Sequence, residues 1–415
     1  MIAASLTGGT TSINTNILSS DMKATIGAIN ALGGNAVAKH MEDGSYEITV
    51  DKPLGTDISY PCVIDCIESG STARFILPLA ACFAKEATVT GSGRLPERPM
   101  GPLCDVLKNA GVTVSSDHLP ITVSGKLSPG NMSIPGNVSS QYITGLLFAM
   151  SCFEKKVNLE VTGSFESEAY VDMTVDVLEK FGADIKRSGN TYSVSPGLMT
   201  TPGAITAEGD WSNAAYIMAI ATLGSGAAFD SLTIEGLKGD SIQGDRRIVD
   251  LLKEFGVDVS FVCGRNGSGA YTIKGNPVKG VDADCSQIPD LVPALCVIAA
   301  FAPAKSVFRN VGRLRAKECD RIDATGSLLS AVGVKYDAFR DGNREDLIVY
   351  GKGMNKGGYS EIRVNSFNDH RIAMAASALC YAEECPVIIE DAMAVNKSYP
   401  GFYDVLKNIG ADYVI

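Results

Sequence analysis

The chain has 415 residues, more than one ordinary hydrophobic core supports, and this length suits two domains of about 200 residues each. Hydrophobic residues make up 45% and charged residues 20%, an ordinary globular composition that argues against long disordered segments. The formal net charge of −11 argues against sequence-independent nucleic-acid binding, which needs an excess of Lys and Arg over a broad face. Two domains imply a cleft, and any basic cluster within it must be local.

The cysteines and the apolar runs indicate the compartment. Eleven cysteines are scattered without the paired spacing or the accompanying histidines of a zinc site. We therefore interpret them as reduced core thiols of a cytosolic protein. The first residues lack a basic leader, and no run reaches the roughly 18 uninterrupted apolar residues of a membrane span. We expect a cytoplasmic protein that uses no metal, no membrane and no nucleic acid.

A local pattern recurs six times along the chain: a run with helical periodicity, a glycine, and then a short alternating strand. Because glycine after a helix adopts a left-handed conformation without steric penalty, each glycine predicts a helix end followed by a reversal into a strand. Three copies precede and three follow the Pro-, Gly- and Thr-rich segment 195–203, which predicts domains 1–204 and 205–415. The glycines, separated by 78, 71, 74, 77 and 77 residues, are Gly33, Gly111, Gly182, Gly256, Gly333 and Gly410.

Four turns that precede predicted helices carry Lys or Arg side chains, although the chain as a whole is acidic. Residues 94–98 contain two arginines in a Gly- and Pro-bounded turn, where backbone N–H groups and the helix dipole also favour an anion. Residues 313–321 contain six charged side chains and could equally form a solvated face. Residues 368–371 precede a nearly all-apolar helix, so we expect Asn368 or Asp369 to cap it and Arg371 to enter a cleft. The fourth turn carries a single cation, Lys397.

Two further turns, at residues 70–74 and 137–141, carry hydroxyl groups, and either could be merely a helix cap. The chain lacks a Walker loop, a dinucleotide-binding glycine fingerprint and a Gly-x-Ser-x-Gly elbow. These absences argue against a nucleotide-binding enzyme of those types and against a Ser/His/Asp hydrolase.

In this order, and over essentially the whole chain, the motifs resemble those of the 5-enolpyruvylshikimate-3-phosphate (EPSP) synthase family. The most specific are residues 314–321, read as Leu-Arg-Ala-Lys-Glu-x-Asp-Arg, and residues 368–371, read as Asn-Asp-His-Arg. The resemblance implies an α/β fold of two similar domains, each made of three repeated βαβαββ units, an inside-out α/β barrel. Further matching stretches are residues 91–102, 139–141, 208–212, 243–245 and 288–290.

The implied reaction moves the enolpyruvyl group of phosphoenolpyruvate to the 5-hydroxyl of shikimate 3-phosphate and releases phosphate, in the shikimate pathway to chorismate and the aromatic amino acids. Both substrates carry a carboxylate and a phosphate, so planar and permanently charged donors suit them. The resemblance implies no metal, nucleotide or organic cofactor, and a monomer. Implied to bind phosphoenolpyruvate are Gly70, Arg94, Gln141, Arg321, Arg371 and Lys397. Implied to bind shikimate 3-phosphate are Ser139, Ser140, Gln141, Ser167, Tyr170, Asp290 and Lys317.

The resemblance also implies the catalytic groups. Addition delivers one proton to the methylene carbon and removes another from the 5-hydroxyl, and elimination reverses both demands, so groups of different pKa are needed. We expect Asp290 to act as the base toward the hydroxyl. Glu318 together with Lys397 is expected to handle the methylene proton.

Two features depart from the family pattern. The family normally opens with a strand and a Lys-Ser-x-Ser-x-Arg loop that contacts both substrates, and Met1 aligns beyond that loop. The alternative is therefore an impaired or non-catalytic form that keeps the fold. In addition, Glu168 and Ala169 stand where the family commonly has Lys-Pro. A sister enolpyruvyl transferase that acts on UDP-N-acetylglucosamine is a further alternative, and the two most specific motifs weigh against it.

Overall fold

The computed structural model describes residues 1–264, 267–342 and 344–414. The chain divides into two compact units, Met1–Ala207 and Glu208–Ile415. The division follows closely on the Pro-, Gly- and Thr-rich segment 195–203.

The first unit alternates strands with helices. Its strands are β1 (Thr11–Thr15), β2 (Asn35–His40), β3 (Tyr46–Lys52), β4 (Cys62–Asp65), β5 (Glu86–Thr90), β6 (Thr113–Val114), β7 (Ile121–Ser124), β8 (Met132–Pro135), β9 (Val157–Thr162), β10 (Asp184–Ser188), β11 (Thr191–Ser195) and β12 (Ala204–Thr206). Its helices are α1 (Ser20–Ala31), α2 (Gly70–Phe83), α3 (Gly101–Asn109), α4 (Ser140–Met150) and α5 (Glu168–Lys180).

Each sheet of the first unit follows one plan. In the order β4, α2, β5, α3, β6, β7, the first two strands pair in parallel across a helical crossover, and the hairpin β6–β7 then adds antiparallel to β5. Strands β8 to β11 repeat this plan. In the third sheet, β1, β2 and β3 provide three strands, and β12 pairs in parallel with β1 through Ser12 and Ala204. The predicted βαβαββ unit is therefore confirmed in the two sheets built from consecutive strands.

The second unit is built in the same way, with sheets of unequal size. Strands β16 to β19 repeat the four-stranded plan, while β13, β15 and β14 form a three-stranded sheet and β20 and β21 pair in parallel. Its strands are β13 (Leu232–Lys238), β14 (Asp258–Cys263), β15 (Ser268–Lys274), β16 (Asp282–Asp284), β17 (Lys305–Arg309), β18 (Lys335–Asp341), β19 (Arg344–Tyr350), β20 (Ile362–Asn365) and β21 (Val387–Glu390). Its helices are α6 (Trp211–Gly224), α7 (Ile248–Glu254), α8 (Val292–Ala300), α9 (Arg321–Ala331), α10 (His370–Glu383) and α11 (Phe402–Asn408).

Helices, and not sheets, form the centre of the second unit. Every residue of α6 and of α8 is buried, and α10 is buried along nearly its whole length. These three helices pack against one another because all their faces are predominantly apolar, which is typical of fully buried helices. In the first unit, α2 and α4 pack together in the same way. Seven cysteines are buried as predicted, but Cys263 is exposed, so the prediction of a core thiol is wrong there.

The six repeat glycines lie where the sequence predicts. Gly33, Gly111, Gly182, Gly256, Gly333 and Gly410 all have positive φ, between 68° and 95°, and each follows a helix end. A strand begins shortly after each of the first five. After Gly410, residues 411–414 form no strand, so that part of the prediction is wrong.

Candidate active site

The carboxylate Asp369 fixes the beginning of α10. Its Oδ1 accepts a hydrogen bond of 2.8 Å from the backbone N–H of Arg371, so Asp369 is the cap, one of the two residues that the sequence offered. Both side chains are buried, and the helix carries Arg371 in its first turn. Arg371 therefore lies away from bulk solvent, and its entry into a substrate cleft stays a prediction.

The beginning of α9 turns a charged side chain inward. Asp320 caps the helix by accepting from the N–H groups of Ile322 and Asp323 at 3.1 and 3.2 Å. As a result Arg321, the first helical residue, is only 1% exposed. A solvated face is thus wrong for Arg321, although the neighbouring Arg315 is partly exposed and pairs with Glu345 at 2.6 Å.

Arg321 joins three carboxylates. Its Nε donates to Asp369 at 2.7 Å, its Nη1 to Asp290 at 2.8 Å and its Nη2 to Glu318 at 2.8 Å. Asp290 comes from the turn before α8 and Glu318 from the turn before α9. One buried guanidinium therefore holds both predicted catalytic carboxylates.

Three further cations surround these carboxylates. Lys317 Nζ lies 3.4 Å from Asp290 Oδ1, and Arg371 Nη2 lies 3.5 Å from Asp290 Oδ2. Lys397 Nζ lies 3.6 Å from Glu318 Oε1. Among the described residues, these ion pairs join four cations, Arg321 included, to three carboxylates. This group therefore carries a positive formal charge in a protein that is acidic overall.

This surrounding charge sets the protonation of the acidic groups. Burial by itself raises the pKa of Asp290, but Lys317, Arg371 and Arg321 together lower it far below its usual value. Burial and the neighbouring Arg371 lower the pKa of His370 to about 3. At neutral pH, Asp290 is therefore an anion and His370 is an uncharged imidazole.

In the first unit, a glycine brings two arginines to the beginning of α2. Ser69 caps this helix, and a Cβ atom at Gly70 would lie 2.6 Å from Nη1 of both Arg74 and Arg98. Arg74 Nη1 donates to Gln141 Oε1 at 2.8 Å, which ties the beginning of α2 to that of α4. Gly70 and Gln141, both predicted site residues, thus lie in one buried basic cluster.

The predicted hydroxyl groups begin the neighbouring helices. Ser139 caps α4 by accepting from the backbone N–H of Gln141 at 3.3 Å, and Ser140 is buried. Ser167, with φ of 55°, immediately precedes α5, whose first turn carries Tyr170. The Glu166 N–H donates to the Gly136 carbonyl at 3.2 Å, so the turn before α5 lies against the turn before α4.

Two charged side chains of the first unit are partly exposed and form ion pairs. Arg94 is 49% exposed, and its Nε donates to Glu97 at 3.2 Å. Glu168, the carboxylate that departs from the family pattern, pairs with Arg187 at 2.5 Å, and the Arg187 guanidinium lies over the rings of Phe165 and Tyr192. The charge of Glu168 is therefore matched by a cation of the same unit.

Comparison with known proteins supplies the identification. A family model described as "EPSP synthase (3-phosphoshikimate 1-carboxyvinyltransferase)" matches residues 1–406. The chain belongs to the EPSP synthase family. Proteins named 3-phosphoshikimate 1-carboxyvinyltransferase are 36% identical in Clostridium novyi, over 99% of this chain and 92% of the relative, and 35% identical in Thermococcus kodakarensis, over 98% and 92%. The predicted family and its transferase activity are confirmed, and these matches give no support for an impaired form over the active enzyme.

Solved structures share the fold of the EPSP synthase family. An EPSP synthase from Acinetobacter baumannii superposes with a TM-score of 0.76 at 24% identity, covering 99% of this chain and 93% of that one. The enolpyruvyl transferase NikO from Streptomyces tendae gives 0.72 at 18% identity, covering 99% and 91%. The predicted fold is therefore confirmed.

Within residues 1–264, 267–342 and 344–414, no helix is long and apolar enough to cross a membrane. In the same ranges, His, Cys, Asp and Glu side chains form no cluster of three or more that could hold a metal ion.

Several buried polar residues of the two clusters were not predicted as site residues. Asp369, which the sequence offered as one of two possible caps and as a support for Arg371, also pairs with Arg321. Arg74 and Arg98 stood in turns that the sequence analysis singled out, and their alignment beside Gly70 depends on the packing of helices distant in sequence. Asn213 and Tyr216, in α6, contact Arg371 and have no charge that would mark them in the sequence.

Proposed function

We propose that the clustered residues of the second unit carry out enolpyruvyl transfer from phosphoenolpyruvate to the 5-hydroxyl of shikimate 3-phosphate. The observation that carries the proposal is the arrangement of Asp290 and Glu318 on two nitrogens of the Arg321 guanidinium, with Lys317 and Lys397 beside them. This arrangement provides two carboxylates with different cationic neighbours, as an addition and elimination sequence requires.

The chemistry assigns one proton transfer to each carboxylate. In the addition, the 5-oxygen bonds to C2 of phosphoenolpyruvate, Asp290 accepts the hydroxyl proton, and the Glu318–Lys397 pair delivers a proton to the methylene carbon. In the elimination, the Glu318–Lys397 pair takes a proton back from the new methyl group and the C2–O bond to phosphate breaks. Phosphate leaves with the proton that Asp290 had accepted, and the enolpyruvyl ether is formed. Asp290 suits the first role because its low pKa keeps it ionised, and binding of an anion beside its cations raises its basicity.

The binding residues follow the same assignment. Arg371, Arg321, Lys397, Gly70, Arg94 and Gln141 are proposed to bind phosphoenolpyruvate. Ser139, Ser140, Gln141, Ser167, Tyr170, Asp290 and Lys317 are proposed to bind shikimate 3-phosphate. Helix beginnings at α2 and α4 support these roles, because N-terminal N–H groups favour anions. By the same resemblance we propose that the chain acts as a cytoplasmic monomer.

Phosphate release tests the proposed function directly. The purified chain should release phosphate only when both substrates are present, with formation of the enolpyruvyl ether seen by mass spectrometry. Asp290→Asn should lower kcat by about 10²- to 10⁴-fold, the usual contribution of a positioned acid or base. The matched variant Asp258→Asn, at an exposed strand end, should leave kcat unchanged. Full activity of Asp290→Asn would refute the role of Asp290, and no product from the wild-type chain would refute the function.

A further inference from the structure

The first turns of α6 present two buried polar side chains that the proposed function does not use. Asn213 and Tyr216 are 4% and 0% exposed. Residues three apart lie on one face of a helix, so both side chains face the same surroundings. Asp210 caps the helix and accepts from the Asn213 N–H at 2.9 Å, which fixes the beginning of α6.

The Asn213 amide connects three polar groups of the second unit. Its Nδ2 donates to Asp210 Oδ2 at 3.1 Å and to the Ser398 carbonyl at 3.4 Å. Its Oδ1 accepts from Arg371 Nη1 at 3.5 Å and from Ser398 Oγ at 3.4 Å. The amide therefore links Arg371 to the residue that directly follows Lys397. Its oxygen faces the cation and its nitrogen faces the acid, the orientation that the charges require.

The Tyr216 side chain connects Arg371 to Asp290. The Arg371 guanidinium carbon lies 5.6 Å from the centre of the Tyr216 ring, within the range of a cation–π contact. The Tyr216 hydroxyl donates to the Asp290 backbone carbonyl at 2.9 Å. One rigid side chain thus contacts both the guanidinium and the turn that carries the proposed base.

Arg371 depends on these contacts for its position. Its Nε has no hydrogen-bond partner among the described residues, and its nearest carboxylate oxygen, on Asp290, is 3.5 Å away. A planar guanidinium binds a carboxylate well only when its fork is presented at a fixed angle. Arg371 is less firmly held by charge than Arg321, so α6 supplies much of its orientation.

We propose that Asn213 and Tyr216 are positioning residues, with Asn213 orienting Arg371 for the substrate carboxylate and Tyr216 holding Asp290 for the chemical step. This inference rests on the proposed function, since it assigns Arg371 to the phosphoenolpyruvate carboxylate and Asp290 to the hydroxyl proton. Neither residue touches a reacting atom, so each acts through the residue that it contacts.

Steady-state kinetics of Asn213→Ala tests the proposal that Asn213 orients Arg371. At saturating shikimate 3-phosphate, the KM for phosphoenolpyruvate should rise by about 3- to 10-fold, the loss expected for one hydrogen bond of ordinary net strength. The matched control is Asn276→Ala, because Asn276 caps the other end of α6 by donating to the carbonyls of Thr222 and Ser225 at 2.9 and 3.1 Å. A variant that is merely less folded lowers the active fraction and hence kcat, but leaves KM unchanged.

Tyr216→Phe tests the proposal that Tyr216 holds Asp290, because this variant removes the hydroxyl and keeps the ring under Arg371. We expect kcat to fall by about 3- to 10-fold with the KM for phosphoenolpyruvate within about twofold of wild type, because only the bond to the Asp290 turn is lost. The control is Tyr381→Phe, since the buried Tyr381 hydroxyl has no hydrogen-bond partner among the described residues. Its removal should leave both constants unchanged.

The outcomes separate the two proposals. Wild-type turnover together with an Asn213→Ala KM equal to that of Asn276→Ala would overturn the role of Asn213 and leave the proposed function intact. Tyr216→Phe kinetics equal to those of Tyr381→Phe would overturn the role of Tyr216 in the same way. Absence of wild-type turnover would overturn the proposed function and this inference with it.

Discussion

Arg321 and Arg371 occupy one cluster, but their partners make them physically different. Arg321 is almost fully buried and donates to three carboxylates, so its charge is balanced inside the protein. Removing it would leave three buried anions without their common partner, which is costly. Arg371 has longer contacts and an unpartnered Nε within the described structure. Of the two, Arg371 has more capacity to bind an incoming carboxylate, whereas Arg321 also holds together the carboxylates that we propose as catalytic.

Lys317 should make shikimate 3-phosphate binding sensitive to alkaline pH. Burial lowers the pKa of Lys317 by more than the neighbouring Asp290 raises it. As pH rises, Lys317 therefore loses its charge before an exposed lysine, whose pKa is about 10.4, and kcat/KM for shikimate 3-phosphate should fall. Lys317→Arg keeps its charge throughout this range, so its pH profile should lack the decline even if its activity is lower. A decline at the same pH in both proteins would assign the effect to another group.

The beginnings and ends of helices were the features most readable from the sequence. Glycines after helices predicted all six helix ends, because a residue with positive φ is needed there whatever the helix packs against. The preference of Asp and Ser for helix caps predicted that Asp369 and Ser139 lie at the beginnings of α10 and α4, because a capping side chain acts within one turn of its own helix. The inward direction of Arg321 was not readable. A run of alternating charges has the same pattern on a solvated face and in a cluster of buried ion pairs.

The close packing of α2 on α4 depends on Gly145. A Cβ atom there would lie 2.3 Å from the Arg74 carbonyl oxygen, a backbone atom that cannot move without shifting α2. We expect Gly145→Ala to lower the free energy of unfolding by about 1–3 kcal/mol, as overpacking usually does. It should also raise the KM for phosphoenolpyruvate, because Arg74 and Gln141 are separated when the helices move apart. Thermal unfolding and steady-state kinetics measure the two effects.

Gly27→Ala is the matched control for this helix contact. Gly27 lies inside α1 and is exposed, and apart from its chain neighbours and the backbone of its own helix no atom lies within 4 Å of its Cβ position. Alanine is the better helix former by about 0.5–1 kcal/mol, so this variant should gain stability and keep its kinetics. A loss of stability in Gly27→Ala equal to that in Gly145→Ala would show that the α2–α4 contact is not the cause.

For the whole molecule, the even spacing of the glycines predicted the number of repeats and their division near the middle of the chain. It did not predict which strands pair within each sheet. In the described parts of the chain, six copies and a boundary near the middle correspond to six sheets, three in each unit. The sheets are unequal, and the parallel partner of β1 is β12, from the far end of the first unit. Local periodicity contains no information about such a distant pairing. The same limit applies to the cluster of Asp290, Lys317, Arg371 and Lys397, whose grouping came from the family resemblance.

The second unit should lose stability as the pH falls from 7 to 5, because of His370. Its pKa is about 3 in the folded chain, lowered by burial and by Arg371, and about 6.5 when unfolded. Between these values the unfolded state binds one more proton, so stability is full above pH 7 and falls with acidification. The linkage relation gives a loss on the order of 2 kcal/mol between pH 7 and pH 5.

Trp211, the one tryptophan of the sequence, is buried in α6 and reports on this unit in urea unfolding of the full chain. His370→Gln should remove most of the pH dependence, whereas His118→Gln, at a partly exposed histidine of the first unit, should keep it. An equal loss in wild type and His370→Gln would exclude His370 as its source. Asp290 and Asp369 do not account for a loss in this range, because the pKa of each is lowered in the folded chain and both stay ionised down to pH 5.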